Sequence, residues 1–381
     1  MSAHHTVILG AGAAGTAAAR TLAGHENITT TLIGHTGETP YTRMLIKGVA
    51  YGMTTPEFVR LPMPDVPFLP DTAELIDPDT RKVHLASGAT VGYDSLIIAT
   101  GSRPRTLDAP GVAQATRSGS VINLHALEDA VRIRAAILAR GESARIAIYG
   151  AGFTAAETAS ALLAQGHQIT LIARSTIPGI AAFGRPVAEH LAAEHHSRVS
   201  TFFGRTIREV HSDAAATVLT LDDGTTVRVD LLIVALGTTP AAPSPWPDGV
   251  DVDDRLRAQG VPDVFAAGGV AIHHDEELGT WRIDHWDDGA AQGTHAAQML
   301  LHTLGVGEDP GPYLPRSPYM GMIYGQMIAG AGYTGHPETR RADSDEFVVL
   351  HGPADTVVGV SGVDAVGTIY QWGQQLHQAV S

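Results

Sequence analysis

Two stretches of the chain carry the same order of apolar and small residues. Val7-Ile8-Leu9-Gly10-Ala11-Gly12-Ala13-Ala14-Gly15 and Ile146-Ala147-Ile148-Tyr149-Gly150-Ala151-Gly152-Phe153-Thr154-Ala155 each read as a short apolar strand, a Gly-rich turn and a helix. Each copy closes on a second apolar strand with a shared ending. The first is Asp94-Ser95-Leu96-Ile97-Ile98-Ala99-Thr100-Gly101 and the second is Asp230-Leu231-Leu232-Ile233-Val234-Ala235-Leu236-Gly237, at nearly the same distance from its turn. One such turn is a weak signal, but two inside matching repeats are a strong one.

Between turn and closing strand the patterns also agree. The first copy predicts a strand near 6–10, a helix near 13–24 and a strand near 29–33, then a hairpin over 81–91 around Gly88. The second copy repeats the hairpin over 217–227 around Gly224. A Pro-rich linker, Pro240 to Pro247, ends the second copy. Val264-Phe265-Ala266-Ala267-Gly268-Gly269 then reads as another buried strand, followed by a helix near 288–303 that returns to complete the first unit. From about 311 the character changes. Strands at 347–350 and 357–360 and a helix near 364–378 predict a small α+β domain, and the Met-rich segment near 320–327 reads as core or interface packing.

Composition narrows the chemistry. The chain has 381 residues, enough for two or three domains, and 44% hydrophobic residues with no run long enough to cross a membrane. Its N-terminus lacks the basic start of a signal peptide, so a cytoplasmic location is the expectation. A net charge of −15 argues against nucleic acid as a partner. There is no cysteine, which excludes thiolate metal sites and any redox-active dithiol. Electrons moved by this protein do not pass through sulfur.

The glycines have a physical purpose. The first two positions of such a turn let the backbone bend tightly and approach a pyrophosphate, and a small third residue lets helix and strand pack closely. The helix start then presents backbone N–H groups to the phosphates. Gly10, Gly12 and Gly15 fit these places, as do Gly150, Gly152 and Ala155. An acid at the end of the second strand would accept from a ribose 2′-hydroxyl, whereas an Arg accommodates a 2′-phosphate. Arg174 follows Gln168-Ile169-Thr170-Leu171-Ile172-Ala173 with no acid beside it, which favours NADPH over NADH. The first copy ends Leu32-Ile33-Gly34-His35-Thr36, with Glu38 the nearest carboxylate.

Two further phrases sharpen the picture: Pro40-Tyr41-Thr42-Arg43-Met44-Leu45-Ile46-Lys47, and Asp284-His285-Trp286-Asp287-Asp288-Gly289-Ala290-Ala291-Gln292-Gly293. Together with the turns and their closing phrases they resemble the FAD-dependent pyridine nucleotide–disulfide oxidoreductase superfamily, in its ferredoxin reductase, putidaredoxin reductase and apoptosis-inducing-factor branch. The resemblance implies an α/β fold of glutathione-reductase-like architecture, with two Rossmann-like dinucleotide-binding domains and a small α+β C-terminal domain. It implies an FAD-binding domain at 1–115 and 245–310, an NAD(P)H-binding domain at 116–244 and an interface domain at 311–381. Carried over by position, FAD meets Gly10, Gly12, Ala13, Ala14, Gly15, Arg43, Lys47, Ala73, Thr100, Gly101, Arg105, Gly269 and Trp286. NAD(P)H meets Gly150, Gly152, Phe153, Thr154, Arg174 and Gly237, and Lys47 and Glu157 match a Lys–Glu pair beside the flavin in such reductases.

The chain departs from its resemblance at three places. Gly268-Gly269 stands where Gly-Asp is usual and where that Asp bonds the FAD ribityl chain, so an Asp at 269 is expected to tighten FAD binding. The adenosine ribose lacks its usual acid near His35 or Thr36, and Tyr319-Met320-Gly321-Met322-Ile323-Tyr324-Gly325 replaces a Trp-bearing segment that covers the flavin.

Other constellations carry less. The pairs His4-His5, His195-His196 and His273-His274 would point to opposite faces on a strand, and no metal site is expected; His273-His274-Asp275-Glu276-Glu277 reads as a solvated loop. No Gly-x-Ser-x-Gly follows a strand. The resulting expectation is an enzyme in which NAD(P)H reduces FAD, and the flavin passes electrons to a ferredoxin-like protein, a quinone or another small acceptor. Two alternatives stand beside it: a reductase fold with weakened or lost FAD binding that acts as a partner protein, and a specialised biosynthetic flavoenzyme acting on a small organic substrate. A homodimer is compatible with all three.

Overall fold

The apolar runs become parallel strands whose side chains are covered on both faces, the arrangement that a continuous rather than alternating pattern requires. The computed structural model describes residues 3–35, 39–213, 216–276 and 278–378. The chain divides into two compact units.

The first unit takes residues 1–42, 60–103 and 238–315. Its five-stranded sheet runs in spatial order Val264–Ala266, Ser95–Ile98, His4–Leu9, Ile28–Gly34, Phe68–Pro70, with every pairing parallel. Val7, Ile8, Leu9 and Leu96, Ile97, Ile98 are buried, which is why charge is missing from both runs. The helices Ala13–Leu22 and Trp286–Thr303 pack closely because position 293 is glycine: a Cβ there would lie 2.0 Å from the Ala14 carbonyl oxygen. The hairpin expected over 81–91 is present as Lys82–Leu85 and Thr90–Gly92, joined by Ala73–Asp77 into a three-stranded sheet. The chain does return through Val264–Ala266 to complete this sheet.

The second unit takes residues 43–59, 104–237 and 316–381. Its parallel sheet runs Ser200–Phe203, Gln168–Ala173, Arg145–Tyr149, Leu231–Val234, Val121–Asn123. Thr217–Leu221 and Thr226–Val229 form the second hairpin, extended by Ile207–Ser212. Toward the C-terminus an antiparallel sheet runs Pro318–Ile323, Gln326–Gly332, Gly359–Val363, Phe347–His351, Thr339–Arg341.

Three local expectations change here. The last helix spans only Val366–Gly373, ending on a glycine that costs about 1 kcal/mol of helix propensity relative to Ala. The last strand lies at Gly359–Val363 rather than 357–360. The Met-rich segment is a strand with alternating sides: Ile323 is buried whereas Met320 and Met322 are exposed, so those methionines are not core. Among the described residues no helix is long and apolar enough to cross a membrane.

Candidate functional site

Each Gly-rich turn uses its glycines in the same way. A Cβ on Gly10 would lie 2.2 Å from the Ala99 carbonyl oxygen, and one on Gly150 would lie 2.2 Å from that of Ala235. The turn therefore rests on the alanine of the closing strand, which explains why turn and closing phrase recur together. A Cβ on Gly15 would lie 1.8 Å from the Gly10 carbonyl oxygen, and buried Ala155 takes the same place in the second copy. These contacts are backbone against backbone and belong to the fold.

Gly12 and Gly152 are different. No described protein atom lies within 4 Å of the Cβ that either would carry, and neither has a positive φ. Protein packing gives no reason for a glycine at these two positions. Close approach of a ligand backbone does. Both glycines cap a helix, Ala13–Leu22 and Phe153–Ala164, without a side-chain hydrogen bond and without an acid in the first turn. A helix start with neither a capping side chain nor a carboxylate suits an anion. The Thr100 hydroxyl, at the end of Ser95–Ile98, is buried and has no hydrogen-bond partner within the described chain. Open glycine positions, uncapped helix starts and this hydroxyl fit a dinucleotide in each unit.

Ten candidate residues sit in the first unit: Gly10, Gly12, Ala13, Ala14, Gly15, Ala73, Thr100, Gly101, Gly269 and Trp286. They cluster around the carboxyl ends of the parallel strands. A Cβ on Gly268 would lie 3.2 Å from that of Ala14, and Gly289, in the first turn of the helix that Trp286 opens, lies 3.6 Å from Ala13 by the same measure. Thr36 and Glu38, near the adenosine-ribose position, lie outside the described residues; His35 is exposed.

The space beside Gly269 is occupied. A Cβ there would lie 2.4 Å from Asp284 Oδ1, so an Asp at 269 meets a carboxylate already in place. Gly268, not Gly269, has the left-handed φ of +78°. Ser102 Oγ and Thr238 Oγ1 donate to Asp284 Oδ2 at 2.6 and 2.5 Å, and Arg282 donates to the Gly269 and Thr238 carbonyls at 2.8 and 2.9 Å. The sequence pattern placed Asp284 in a phrase with Trp286 but gave it no role, because its proximity to Gly269 is a tertiary fact.

In the second unit Arg43, Lys47, Arg105, Gly150, Gly152, Phe153, Thr154, Glu157, Arg174 and Gly237 are found together. Lys47 Nζ donates to Glu157 Oε2, joining the two residues paired by the sequence pattern. Burial pushes the Glu157 carboxyl up, and the Lys47 charge and hydrogen bond oppose that rise. Phe153 stands beside the pair, with its ring 5.4 Å from Lys47 Nζ and packed between Phe183 and Tyr319. A Cβ on Gly321 would lie 2.4 Å from Glu157 Oε1 and 2.5 Å from the Phe153 ring, so the segment Tyr319–Gly325 lies directly on these side chains. One residue was missed: Tyr51, whose buried hydroxyl bonds Thr158 and whose phenol burial pushes up. Thr158 in turn donates to the Thr154 carbonyl at 2.6 Å.

Arg174 is exposed directly after Gln168–Ala173. Arg105 N donates to the Gly237 carbonyl at 2.9 Å, which ties that candidate to the second closing phrase. His273 is not in a solvated loop. It lies on the strand Ala271–Asp275, buried and stacked on Trp281 at 3.7 Å, and burial depresses its imidazole to about 4. His274 points the other way and meets Asp251 at 2.7 Å.

Comparison with known proteins agrees with this geometry. Residues 4–298 match the model of a family described as pyridine nucleotide-disulphide oxidoreductase. Human apoptosis-inducing factor 3 is 27% identical over 307 residues, covering 76% of this chain and 48% of that protein. The ferredoxin–NAD(+) reductase component of the Burkholderia cepacia anthranilate 1,2-dioxygenase system is 30% identical over 239 residues, covering 60% of this chain and 56% of that one. The chain thus spans about half the length of these curated relatives. Among solved structures, the covalent putidaredoxin reductase–putidaredoxin complex matches with a TM-score of 0.85 at 22% identity, covering 98% of this chain and 93% of that one. That likeness shows the fold.

Proposed function

We propose that this chain, which belongs to the pyridine nucleotide-disulphide oxidoreductase family, is an FAD-dependent NAD(P)H oxidoreductase that hands electrons to a ferredoxin-like protein, a quinone or another small acceptor. The observation that carries the reading is the matched pair of turns. Gly12 and Gly152 each leave open space at an uncapped helix start, one in each unit. In this reading the segments 1–115 and 245–310 hold FAD, 116–244 holds NAD(P)H, and 311–381 serves as the interface domain. A relative that is a ferredoxin–NAD(+) reductase component supports the ferredoxin-like acceptor.

Flavin chemistry, when FAD is bound, is hydride acceptance from a nicotinamide and release of electrons to the acceptor. The chain's own residues bind, orient and exclude water. Gly10 and Gly15 fix the first turn, and Gly12 with the amides of Ala13 and Ala14 receives the pyrophosphate; Gly150, Gly152, Phe153 and Thr154 do the same in the second unit. Lys47 keeps its ammonium in place through Glu157, where a fixed positive charge stabilises negative charge developing nearby. Acid–base machinery is not required, because orientation accounts for most of what a protein adds to hydride transfer.

FAD uptake tests the reading. The purified chain is expected to be yellow, or to take up added FAD, with the chromophore released on denaturation. A chain that stays colourless at saturating FAD contradicts it.

Arg174 sets the donor. NADPH is expected to reduce the flavin more efficiently than NADH, and Arg174→Ala to weaken NADPH selectively by about 1–3 kcal/mol, the range of a charge-assisted contact. Steady-state kinetics with both donors measure this. An equal loss for NADPH and NADH contradicts the assignment.

A further inference from the structure

The helix Trp286–Thr303 buries a carboxylate that the proposed chemistry does not use. Asp288 is 1% exposed and Gln292, one turn further along, is 0% exposed. The two side chains share a helix face, and Gln292 Nε2 donates to Asp288 Oδ2 at 2.6 Å. The other end of the amide is engaged too, since the Gly268 N–H donates to Gln292 Oε1 at 2.8 Å. Tyr313 extends the chain by donating its hydroxyl to Asp288 Oδ1 at 2.8 Å. We propose that Asp288 is a positioning residue for the flavin site, which holds the Gly268 turn in place through Gln292 and is itself held by Tyr313. This inference rests on the flavin reading of the first unit.

The direction of the hydrogen bonds is what makes a carboxylate necessary. An ionised carboxylate only accepts, whereas an amide donates at one end and accepts at the other. Asp288 therefore turns the Gln292 amide nitrogen toward itself and the amide oxygen toward Gly268. A reversed amide would set Oε1 against the carboxylate and Nε2 against the Gly268 N–H, repulsive at both ends. Asp288 lies in the first turn of its helix, where the positive end of the helix dipole favours negative charge. Gly268 matters to the cofactor because of what it touches. Its φ of +78° turns the chain at the carboxyl edge of the sheet, and its carbonyl accepts from Ala271 N at 3.0 Å. A Cβ on it would lie 3.2 Å from that of Ala14, and Ala14 belongs to the helix start that receives the pyrophosphate in the flavin reading. The far end of the network is anchored as well. Tyr313 N donates to the Asp254 carbonyl at 2.7 Å, and the Tyr313 ring packs 5.4 Å from that of His295.

Swapping the polarity of the network tests the proposal. The full-length apoproteins are titrated with FAD at a temperature where melting curves show each of them folded, so that a change in affinity is not a loss of fold. Gln292→Glu sets two carboxylates face to face and is expected to raise the FAD dissociation constant about tenfold or more, at about 1.4 kcal/mol per decade. Adding Asp288→Asn restores every bond with the charge moved by one turn. The new amide donates to the new carboxylate, which still accepts from Gly268, and the amide oxygen accepts from Tyr313. The double variant is expected to bind FAD within about threefold of wild type, a coupling that two independent sites would not show. Tyr313→Phe removes one donor and leaves Gln292 in place, so a smaller rise of about threefold is expected. Unchanged FAD affinity in Gln292→Glu, or a double variant no better than that single one, overturns the inference. If Gln292→Glu does not fold, Tyr313→Phe decides, and unchanged FAD affinity there overturns it equally. A wild-type chain that takes up no FAD overturns the flavin reading, and with it the role given to Asp288.

Discussion

Gly12→Val is expected to fold normally and to lose FAD, whereas Gly15→Val is expected to lose the fold. The difference follows from what each missing Cβ would meet. At Gly12 nothing described lies within 4 Å, and the backbone is extended rather than left-handed, so a side chain strains no protein atom. The added methyls project into the space that the pyrophosphate needs, and FAD affinity should fall by about 100-fold or more, roughly 2.7 kcal/mol. At Gly15 a Cβ would lie 1.8 Å from the Gly10 carbonyl oxygen, and the helix would have to leave the sheet. A helix-interior Gly→Ala change ordinarily stabilises by about 1 kcal/mol. Here the sign reverses, because overpacking against backbone costs about 3 kcal/mol or more. Thermal melts and FAD titrations of both variants check the pair. Retained FAD binding in Gly12→Val would show that the open space is not a ligand's.

Lys47→Met is expected to destabilise the second unit by about 1–3 kcal/mol near neutral pH, below the 3–5 kcal/mol of a fully buried pair because both side chains keep some solvent contact. The loss should depend on pH. Burial already raises the Glu157 carboxyl, and Lys47 opposes that rise. Without the ammonium the carboxyl rises further. A group whose folded pKa is raised stabilises the fold fully below its unfolded value and loses that contribution as pH rises through the folded value. The deficit of Lys47→Met should therefore be largest at neutral and higher pH and should shrink toward the ordinary carboxylate range. Melting temperatures of wild type and variant across that window measure it. A deficit that does not change with pH would mean that Lys47 acts by packing on Phe153 rather than by charge.

Much of the fold was legible because its signals are local. Continuous apolar runs such as Val7-Ile8-Leu9 and Leu231-Leu232-Ile233-Val234 gave buried parallel strands, and the glycines of both turns marked where strand meets helix. The repeat itself named the second sheet from the first. The Lys47–Glu157 bond was legible only through a family pattern, since 110 residues separate the partners and no periodicity links them. Tertiary packing decides the rest. Asp284 fills the space beside Gly269 from a distant segment, and His273 is buried by a Trp281 that pairs with it only across a hairpin. Met320 and Met322 read as core or interface packing by composition, and strand alternation turns them outward and puts Gly321 against Glu157.

The most direct test of the central claim is anaerobic addition of NADPH to the FAD-loaded chain. The account predicts that stoichiometric NADPH bleaches the oxidised flavin band, that NADH does so less efficiently, and that a ferredoxin-like acceptor restores the band. A chain that binds FAD yet leaves its absorbance unchanged with either donor would contradict the account.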